Sequence, residues 1–150
     1  MKKYIIDTNA LISFVTDRNP DQQQKIAPLF ESAAHLKARI LCHQNVLTEF
    51  IHVMDRVYHV PKDEIGRMIV AFVEMPGIEV IHEIDFNAVL SCWPDPIPDF
   101  GDAVVASIGK VMKRSIIVTF DQKFTNNLKS LGLNIWENKD IAHFSQISSE

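Results

Sequence analysis

Short apolar runs alternate along the chain with longer stretches in which apolar residues recur at helical spacing. The strongest periodic stretch runs from Asn45 to Tyr58, where the apolar residues form one arc of a helix. Apolar, β-rich runs predict strands at Lys3 to Ile6, Arg39 to Cys42, Ile78 to Ile81, Ser115 to Phe120 and Leu133 to Trp136. Periodic stretches and their caps predict helices at Asn9 to Val15, Asn19 to Ala34, Asn45 to Tyr58, Pro61 to Met75, Phe86 to Cys92, Gly101 to Lys113 and Asp121 to Leu131.

This alternation of strands and helices predicts an α/β fold with a mostly parallel sheet and helices on both faces. The sequence contains no internal repeat, low-complexity tract or long linker, so we expect residues 1–150 to form a single domain. The tail after Trp136 is expected to be frayed. In such sheets, ligands bind at the carboxyl ends of the strands, so chemistry is sought at that edge.

Composition narrows the possible functions. No apolar run approaches the length of a membrane span, and the run after Lys2 and Lys3 is too short for a signal peptide, so we expect a cytoplasmic protein without membrane contact. Cys42 and Cys92 lack the paired spacing of a zinc or redox site and are predicted to be buried thiols. The net charge is −4 and no basic stripe is present, which disfavours nonspecific duplex binding.

Five acids are predicted to meet at the carboxyl edge of the sheet. Asp7 directly follows the first strand, and Asp121 follows the fourth. Asp99 and Asp102 open the helix that leads into the fourth strand, while Glu49 lies early in the helix after the second strand. Each has an alternative structural role: Asp7, Asp99 and Asp121 could be helix N-caps, and Asp102 could favour a helix dipole. Glu49 could be an ordinary exposed helix residue.

Taken together, the acids favour a metal site. Crowded carboxylates repel one another, and few cations lie near them in sequence. A hard divalent cation such as Mg²⁺ resolves this repulsion with oxygen ligands. Such an ion could activate water to attack a phosphodiester. Neither Ser13 nor Ser107 has an obvious histidine partner for a hydrolase triad.

Four motifs resemble those of the PIN-domain family, in the same order and over nearly the whole chain. They are Ile5-Ile6-Asp7-Thr8-Asn9-Ala10-Leu11, Leu47-Thr48-Glu49-Phe50, Asp99-Phe100-Gly101-Asp102-Ala103-Val104-Val105-Ala106 and Val118-Thr119-Phe120-Asp121-Gln122-Lys123-Phe124. The resemblance implies a three-layer α/β/α sandwich and an endoribonuclease dependent on Mg²⁺ or Mn²⁺.

The resemblance also implies roles for individual residues. Asp7, Glu49, Asp102 and Asp121 correspond to the family's catalytic, metal-binding acids, and Asp99 matches a further acid found in some members. Supporting roles are implied for three more residues, Thr8, Asn9 and Thr119: the first two would shape the turn of the first motif, and Thr119 could bond a carboxylate or a metal-bound water.

Single-domain PIN proteins of this length resemble the toxins of VapBC-type toxin–antitoxin modules. This resemblance implies cleavage of a structured RNA such as tRNA or rRNA, inhibition by a small antitoxin, and a homodimer. The apolar faces of the helices at Asn45 to Tyr58 and Lys62 to Met75 could form a dimer or antitoxin surface, although they could equally cover the sheet.

Three other functions remain open at this point. A housekeeping RNA-processing nuclease would have the same site. A phosphorylatable receiver domain would need an acidic pair after the first strand and an aspartate after the third, where Ile6 and His82 stand. A non-catalytic RNA-binding module would have no need for mutually repelling acids.

Overall fold

A four-stranded parallel sheet forms the centre of the part of the chain that the structure describes. The computed structural model describes residues 1–137, in which the strands are β1 (Lys2–Ile6), β2 (Ala38–His43), β3 (Ile78–Ile81) and β4 (Ile116–Val118). They lie in the order β3-β2-β1-β4, and all neighbours are parallel. β1 lies inside the sheet, which explains why Tyr4, Ile5 and Ile6 form an unbroken buried run.

Helices on both faces of the sheet complete the predicted three-layer α/β/α architecture. Within residues 1–137 they are α1 (Thr8–Val15), α2 (Pro20–Ala34), α3 (Gln44–Arg56), α4 (Lys62–Val73), α5 (Phe86–Leu90), α6 (Phe100–Val111) and α7 (Gln122–Ser130). The connections from β1 to β2 and from β2 to β3 step across the sheet in one direction. The connection from β3 to β4 steps back over β1. Because parallel crossovers are right-handed, α1 to α4 and α5 to α6 lie on opposite faces.

This topology determines where the chain can build a site. The helices that follow β1 and β2 begin at the carboxyl edge of the sheet. Since α6 runs back to the start of β4, it also begins at that edge. The starts of α1, α3, α6 and α7 are therefore close together at the carboxyl edge, as the sequence predicted.

Two predicted strands differ from the observed structure. β4 ends at Val118 rather than at Phe120, because the backbone N–H of Phe120 donates to the Asn9 side chain and not to a neighbouring strand. The strand predicted at Leu133 to Trp136 was wrong as a strand. It is reduced to a single parallel bridge between Ile117 and Ile135, since β4 is so short that Ile117 alone pairs with it.

Helix boundaries are set by local capping. The side chain of Asn19 accepts a hydrogen bond from the backbone N–H of Gln22 and starts α2 with Pro20 in its first turn. α5 ends at Leu90, two residues before the predicted end at Cys92, and α6 begins at Phe100, one residue early. The predicted frayed tail lies outside the described residues, apart from Glu137.

The two cysteines lie in the hydrophobic core of the protein. Cys42 and Cys92 are free and buried, as expected. Burial raises the pKa of the Cys42 thiol to about 12, which keeps it unreactive.

Over residues 1–137, no helix combines the length and apolarity required to cross a bilayer.

Gly77, in the turn before β3, is expected to be the glycine least tolerant of substitution. Its φ is +83°, and a Cβ there would overlap the backbone carbonyl of Ala33. Gly77→Ala should lower the free energy of unfolding by about 3 kcal/mol, from left-handed strain and overlap together. Gly132→Ala is the matched control, since its φ is +72° with open space around it, and should cost about 1 kcal/mol. Equal losses in urea unfolding would contradict the overlap argument.

Candidate active site

The five acids singled out in the sequence line one cavity at the carboxyl edge of the sheet. The cavity has a volume of about 560 Å³. Its lining residues come from the starts of four helices: Asp7, Thr8, Asn9, Ile12, Thr48, Glu49, His52, Val53, Asp99, Asp102 and Asp121. The topology thus brings four distant chain segments into one depression that is large enough for part of a polymeric substrate.

Asp7 is the most deeply buried of these acids. It ends β1, is 4% exposed, and caps α1. Its Oδ1 accepts a hydrogen bond from the backbone N–H of Thr8 at 2.9 Å. Its Oδ2 accepts from the Asn9 amide at 3.1 Å and from the Thr119 hydroxyl at 2.9 Å. These donors hold the carboxylate in one orientation at the base of the cavity.

Asn9 and Thr119 join the ends of β1 and β4. The Asn9 amide also donates to Thr119 Oγ1 at 3.0 Å, and its carbonyl accepts from the Phe120 N–H at 2.9 Å. Thr119 Oγ1 accepts from the Asp121 N–H at 3.2 Å. The predicted bond between Thr119 and a carboxylate is therefore confirmed, and it links Asp7 to the turn that carries Asp121.

Glu49 reaches the cavity from the first half of α3. It is half-buried, and the Thr8 hydroxyl donates to its Oε2 at 2.7 Å. Its Oε1 lies against the Cα of Gly101, so closely that a Cβ at that position would overlap the oxygen. The Cβ would also lie 3.2 Å from Asp99 Oδ1. Glu49 can thus extend over the start of α6 only because residue 101 has no side chain.

Asp99 and Asp121 cap helices, as the alternative interpretation predicted, and they also line the cavity with the other acids. Asp99 Oδ1 accepts from the Asp102 N–H at 2.9 Å, and Asp121 Oδ1 accepts from the Phe124 N–H at 2.9 Å. Each cap uses one oxygen of its carboxylate. Asp102 differs from them, because its carboxylate accepts no hydrogen bond from any residue in 1–137. It is therefore the acid whose oxygens are most available to a ligand.

The Asp102 carboxyl is a weaker acid than usual, and no hydrogen-bond donor within residues 1–137 stabilises its charged form. Burial, and after it the neighbouring carboxylates of Asp7, Asp99, Asp121 and Glu49, together raise the pKa of Asp102 to about 8. Burial likewise raises the pKa of Asp7 to about 6, against the lowering effect of its bonds from Thr119 and Thr8. The cluster therefore binds protons tightly in the absence of another positive charge.

The electrostatics of the cavity favour a cation. Neither lysine nor arginine is among the described residues that line it. Arg18, the first basic residue after Asp7 in the sequence, lies over the Tyr58 ring at 3.6 Å from the centroid. The carboxylates offer only oxygen atoms as metal ligands, and a hard divalent ion prefers oxygen. In residues 1–137, no three Asp, Glu, His or Cys side chains are arranged to coordinate one ion directly.

Several residues in or next to the cavity were not predicted as site residues from the sequence. Gly101 was quoted within a motif without a role, although a glycine between two acids in a first helical turn was a usable signal. His52 lies one turn after Glu49 on α3 and shares the cavity. Ile12 and Val53 supply an apolar wall that no sequence motif indicated.

A family model of the PIN domain matches residues 3–123 of the sequence. The chain belongs to the PIN-domain family. PIN domains are nucleases, and the matched span contains all five acids of the cavity. This assignment leaves the receiver-like alternative without support. Among curated proteins, none matches the sequence significantly.

Solved structures share the PIN fold at low sequence identity. VapC20 of Mycobacterium tuberculosis, a toxin that cleaves the sarcin-ricin loop, is 13% identical with a TM-score of 0.63, over 87% of this chain and 95% of that one. VapBC-1 of nontypeable Haemophilus influenzae is 17% identical with a TM-score of 0.62, over 91% and 98%. PAE2754 of Pyrobaculum aerophilum is 16% identical with a TM-score of 0.65, over 97% and 98%.

Proposed function

We propose that this PIN-domain protein is an endoribonuclease that hydrolyses RNA with the help of Mg²⁺ or Mn²⁺. The observation that carries the proposal is the cavity itself, in which five carboxylates from four segments meet without a lining lysine or arginine. A cluster of this kind is unfavourable on its own and becomes favourable around a divalent cation and a phosphate.

Asp7, Asp102 and Asp121 would hold the cation, with Glu49 and Asp99 at its margin. The free oxygens of Asp102 and the second oxygens of Asp99 and Asp121 are the available donors. Because no three side chains among residues 1–137 are arranged to coordinate one ion directly, several contacts would run through water, as Mg²⁺ commonly allows. When bound, the cation supplies positive charge to the phosphate and increases the acidity of water.

The protein's own groups orient the reaction. Glu49, held by the Thr8 hydroxyl, is placed to accept a proton from the attacking water. As the water oxygen bonds to phosphorus, the bond from phosphorus to the 3′ oxygen breaks and that oxygen takes up a proton. The products are a 5′-phosphate and a 3′-hydroxyl. Asp7 stays fixed by its three donors, so the site needs little rearrangement.

The finer proposal is that the protein is the toxin of a VapBC-type module. Structures of such toxins share its fold over nearly their whole length, which is why we prefer this role to housekeeping RNA processing. The partners would be tRNA or rRNA as substrate, a small antitoxin and a second copy of the chain. Exposed Ile51 and Val57 on α3 and Val70 on α4 offer an apolar surface for a protein partner.

The direct test is incubation of the purified protein with total RNA in Mn²⁺ or Mg²⁺. We expect discrete fragments with 5′-phosphate ends, and no fragments in EDTA or with Asp102→Asn. Fragments ending in a cyclic phosphate, or fragments that persist in EDTA, would contradict the proposal. A toxin would also inhibit translation in a cell extract, whereas a processing nuclease would act on a precursor RNA without that effect.

Gly101→Ala is expected to slow cleavage by about 100-fold with little change in stability. The new methyl group would push the Glu49 carboxylate away from the cavity, and a misplacement of about 1 Å can cost that much in rate. The fold should survive, because the overlapping atom is the end of a flexible side chain. The rate under single-turnover conditions and the melting temperature are the measurements.

Gly66→Ala is the matched control for this substitution. Gly66 lies inside α4, and a Cβ there meets nothing within 4 Å. It should cleave normally and be more stable by up to about 1 kcal/mol. If Gly101→Ala also cleaves at the normal rate, Glu49 is not needed in its observed position.

A further inference from the structure

An aromatic pair includes the residue that follows Asp99 in the chain, and it has no role in the chemistry proposed above. Phe100 lies between Asp99 and Asp102 in the sequence and is the first residue of α6. Its ring packs against Trp93 in a perpendicular arrangement, with centroids 5.3 Å apart and planes at 86°. We call Trp93 and Phe100 the aromatic platform.

The platform is held in place although it is partly exposed. The indole N–H of Trp93 donates to the Pro98 carbonyl at 3.0 Å, across a loop containing three prolines. Phe100 is nevertheless 39% exposed, a substantial fraction for a phenylalanine. In a perpendicular pair, at least one face of each ring remains free of the other ring. The protein therefore keeps a rigid aromatic surface open beside its acids.

We propose that the aromatic platform stacks a nucleobase of single-stranded RNA next to the scissile phosphate. The inference rests on the proposed nuclease function and names how the same site recognises its substrate. Phe100 is bonded directly to Asp99, so a phosphate held by the acids places a neighbouring base within reach of the ring. In a duplex that base would be paired and stacked, so the platform selects unpaired RNA.

The charge of the protein supports this occupant. The net charge is −4, and the described cavity lining contains neither lysine nor arginine. The described cavity lining therefore offers no basic side chain to neutralise a phosphate, which is the usual source of affinity for nucleic acid. Stacking on an aromatic ring is independent of charge and tolerates any base. A platform of this kind supplies affinity that the electrostatics of this chain do not provide.

The test compares two single-stranded oligomers of twelve nucleotides, an oligoadenylate and an abasic ribose-phosphate chain of equal charge. Binding is measured in Mg²⁺ on the Glu49→Gln background, which keeps the proposed cation ligands and removes the group proposed to accept the proton of the attacking water, so that bound RNA is not cleaved. We expect the oligoadenylate to bind about five- to a hundredfold more tightly than the abasic chain. Trp93 fluorescence should be quenched on binding, and the signal change should disappear in Trp93→Phe.

Substitutions of Phe100 separate stacking from apolar contact. Phe100→Ala and Phe100→Leu should abolish the preference for the chain with bases, while Phe100→Trp should retain it. Phe86→Ala is the control, because Phe86 on α5 is more exposed, at 56%, and contacts no aromatic ring within residues 1–137. It should leave the preference unchanged. Because stacking carries no charge, the loss of binding affinity in Phe100→Ala should be the same at about 50 mM and about 250 mM salt.

The outcomes for the platform and for the nuclease can be told apart. Normal RNA cleavage by the unaltered protein, with an unchanged KM in Phe100→Ala, would overturn the platform and leave the nuclease intact. Binding that depends on bases and on Phe100, without any cleavage, would support the platform and overturn the nuclease. Equal binding of both oligomers, or of neither, would overturn the platform in either case.

Discussion

Asp102→Asn is expected to reduce RNA cleavage by at least about 1,000-fold while raising the melting temperature of the metal-free protein. The two effects have one cause. Asp102 faces four other carboxylates in a partly buried position and accepts no hydrogen bond within the described chain. Removing its charge relieves repulsion when no cation is present, and the same change removes the most available ligand for a cation.

The measurements are single-turnover cleavage in Mn²⁺ and thermal unfolding in EDTA at about pH 9, where Asp102 is mostly ionised and the repulsion is larger than at neutral pH. Asp85→Asn is the matched control, since Asp85 caps α5 at an exposed position away from the cavity. It should alter neither quantity appreciably, because asparagine caps helices about as well as aspartate. If the Asp102→Asn variant is inactive but less stable than the unaltered protein, the Asp102 carboxylate has a structural partner in the folded protein.

Asp7 is less suited to this comparison, although it belongs to the same cluster. Both of its oxygens accept hydrogen bonds. In Asp7→Asn, the new side-chain NH₂ group would face an N–H donor of Asn9 or Thr8. A loss of activity in Asp7→Asn could therefore come from a disturbed turn. Asp7 thus has a structural role beside its proposed chemical one, whereas the Asp102 carboxylate has no hydrogen-bond partner within the described chain.

The sequence predicted the elements that depend on local patterns. Strong periodicity placed α3 and α6 within two residues at each end, and the buried run of β1 was evident from Tyr4 to Ile6. The strand at Leu133 to Trp136 failed because strand formation depends on a neighbour. β4 is only three residues long, and no local pattern of residues 133–136 reports that.

The same division holds for the candidate site. The position of each acid at a strand end or helix start was sufficient to predict that they would share one cavity, because parallel strands end at one edge. The side-chain contacts between distant segments were beyond prediction. The approach of Glu49 to Gly101 joins α3 to α6, and the ring pair of Trp93 and Phe100 depends on how a proline-rich loop folds. Neither contact follows from spacing along the chain.

Acidification is expected to stabilise the metal-free protein and to weaken its affinity for Mg²⁺. The pKa of Asp102 is raised to about 8 and that of Asp7 to about 6, both above the 3.8 of the unfolded chain. Between these values the folded state binds more protons than the unfolded state. The contribution of both groups to stability therefore falls as the pH rises from about 4 to about 8.

Cation binding has the opposite dependence, because the ion must displace those protons. With pKa values of about 8 and 6, the apparent affinity for Mg²⁺ should fall roughly 50- to 100-fold from pH 8 to pH 6. Calorimetric titrations in buffers of different ionisation enthalpy would show proton release on binding. Asp102→Asn should flatten both the stability slope in EDTA and the pH dependence of the remaining Mg²⁺ affinity. An affinity that is constant between pH 6 and pH 8 would mean that the cation does not bind at these two acids, and cleavage would then have to be assigned to another part of the cavity.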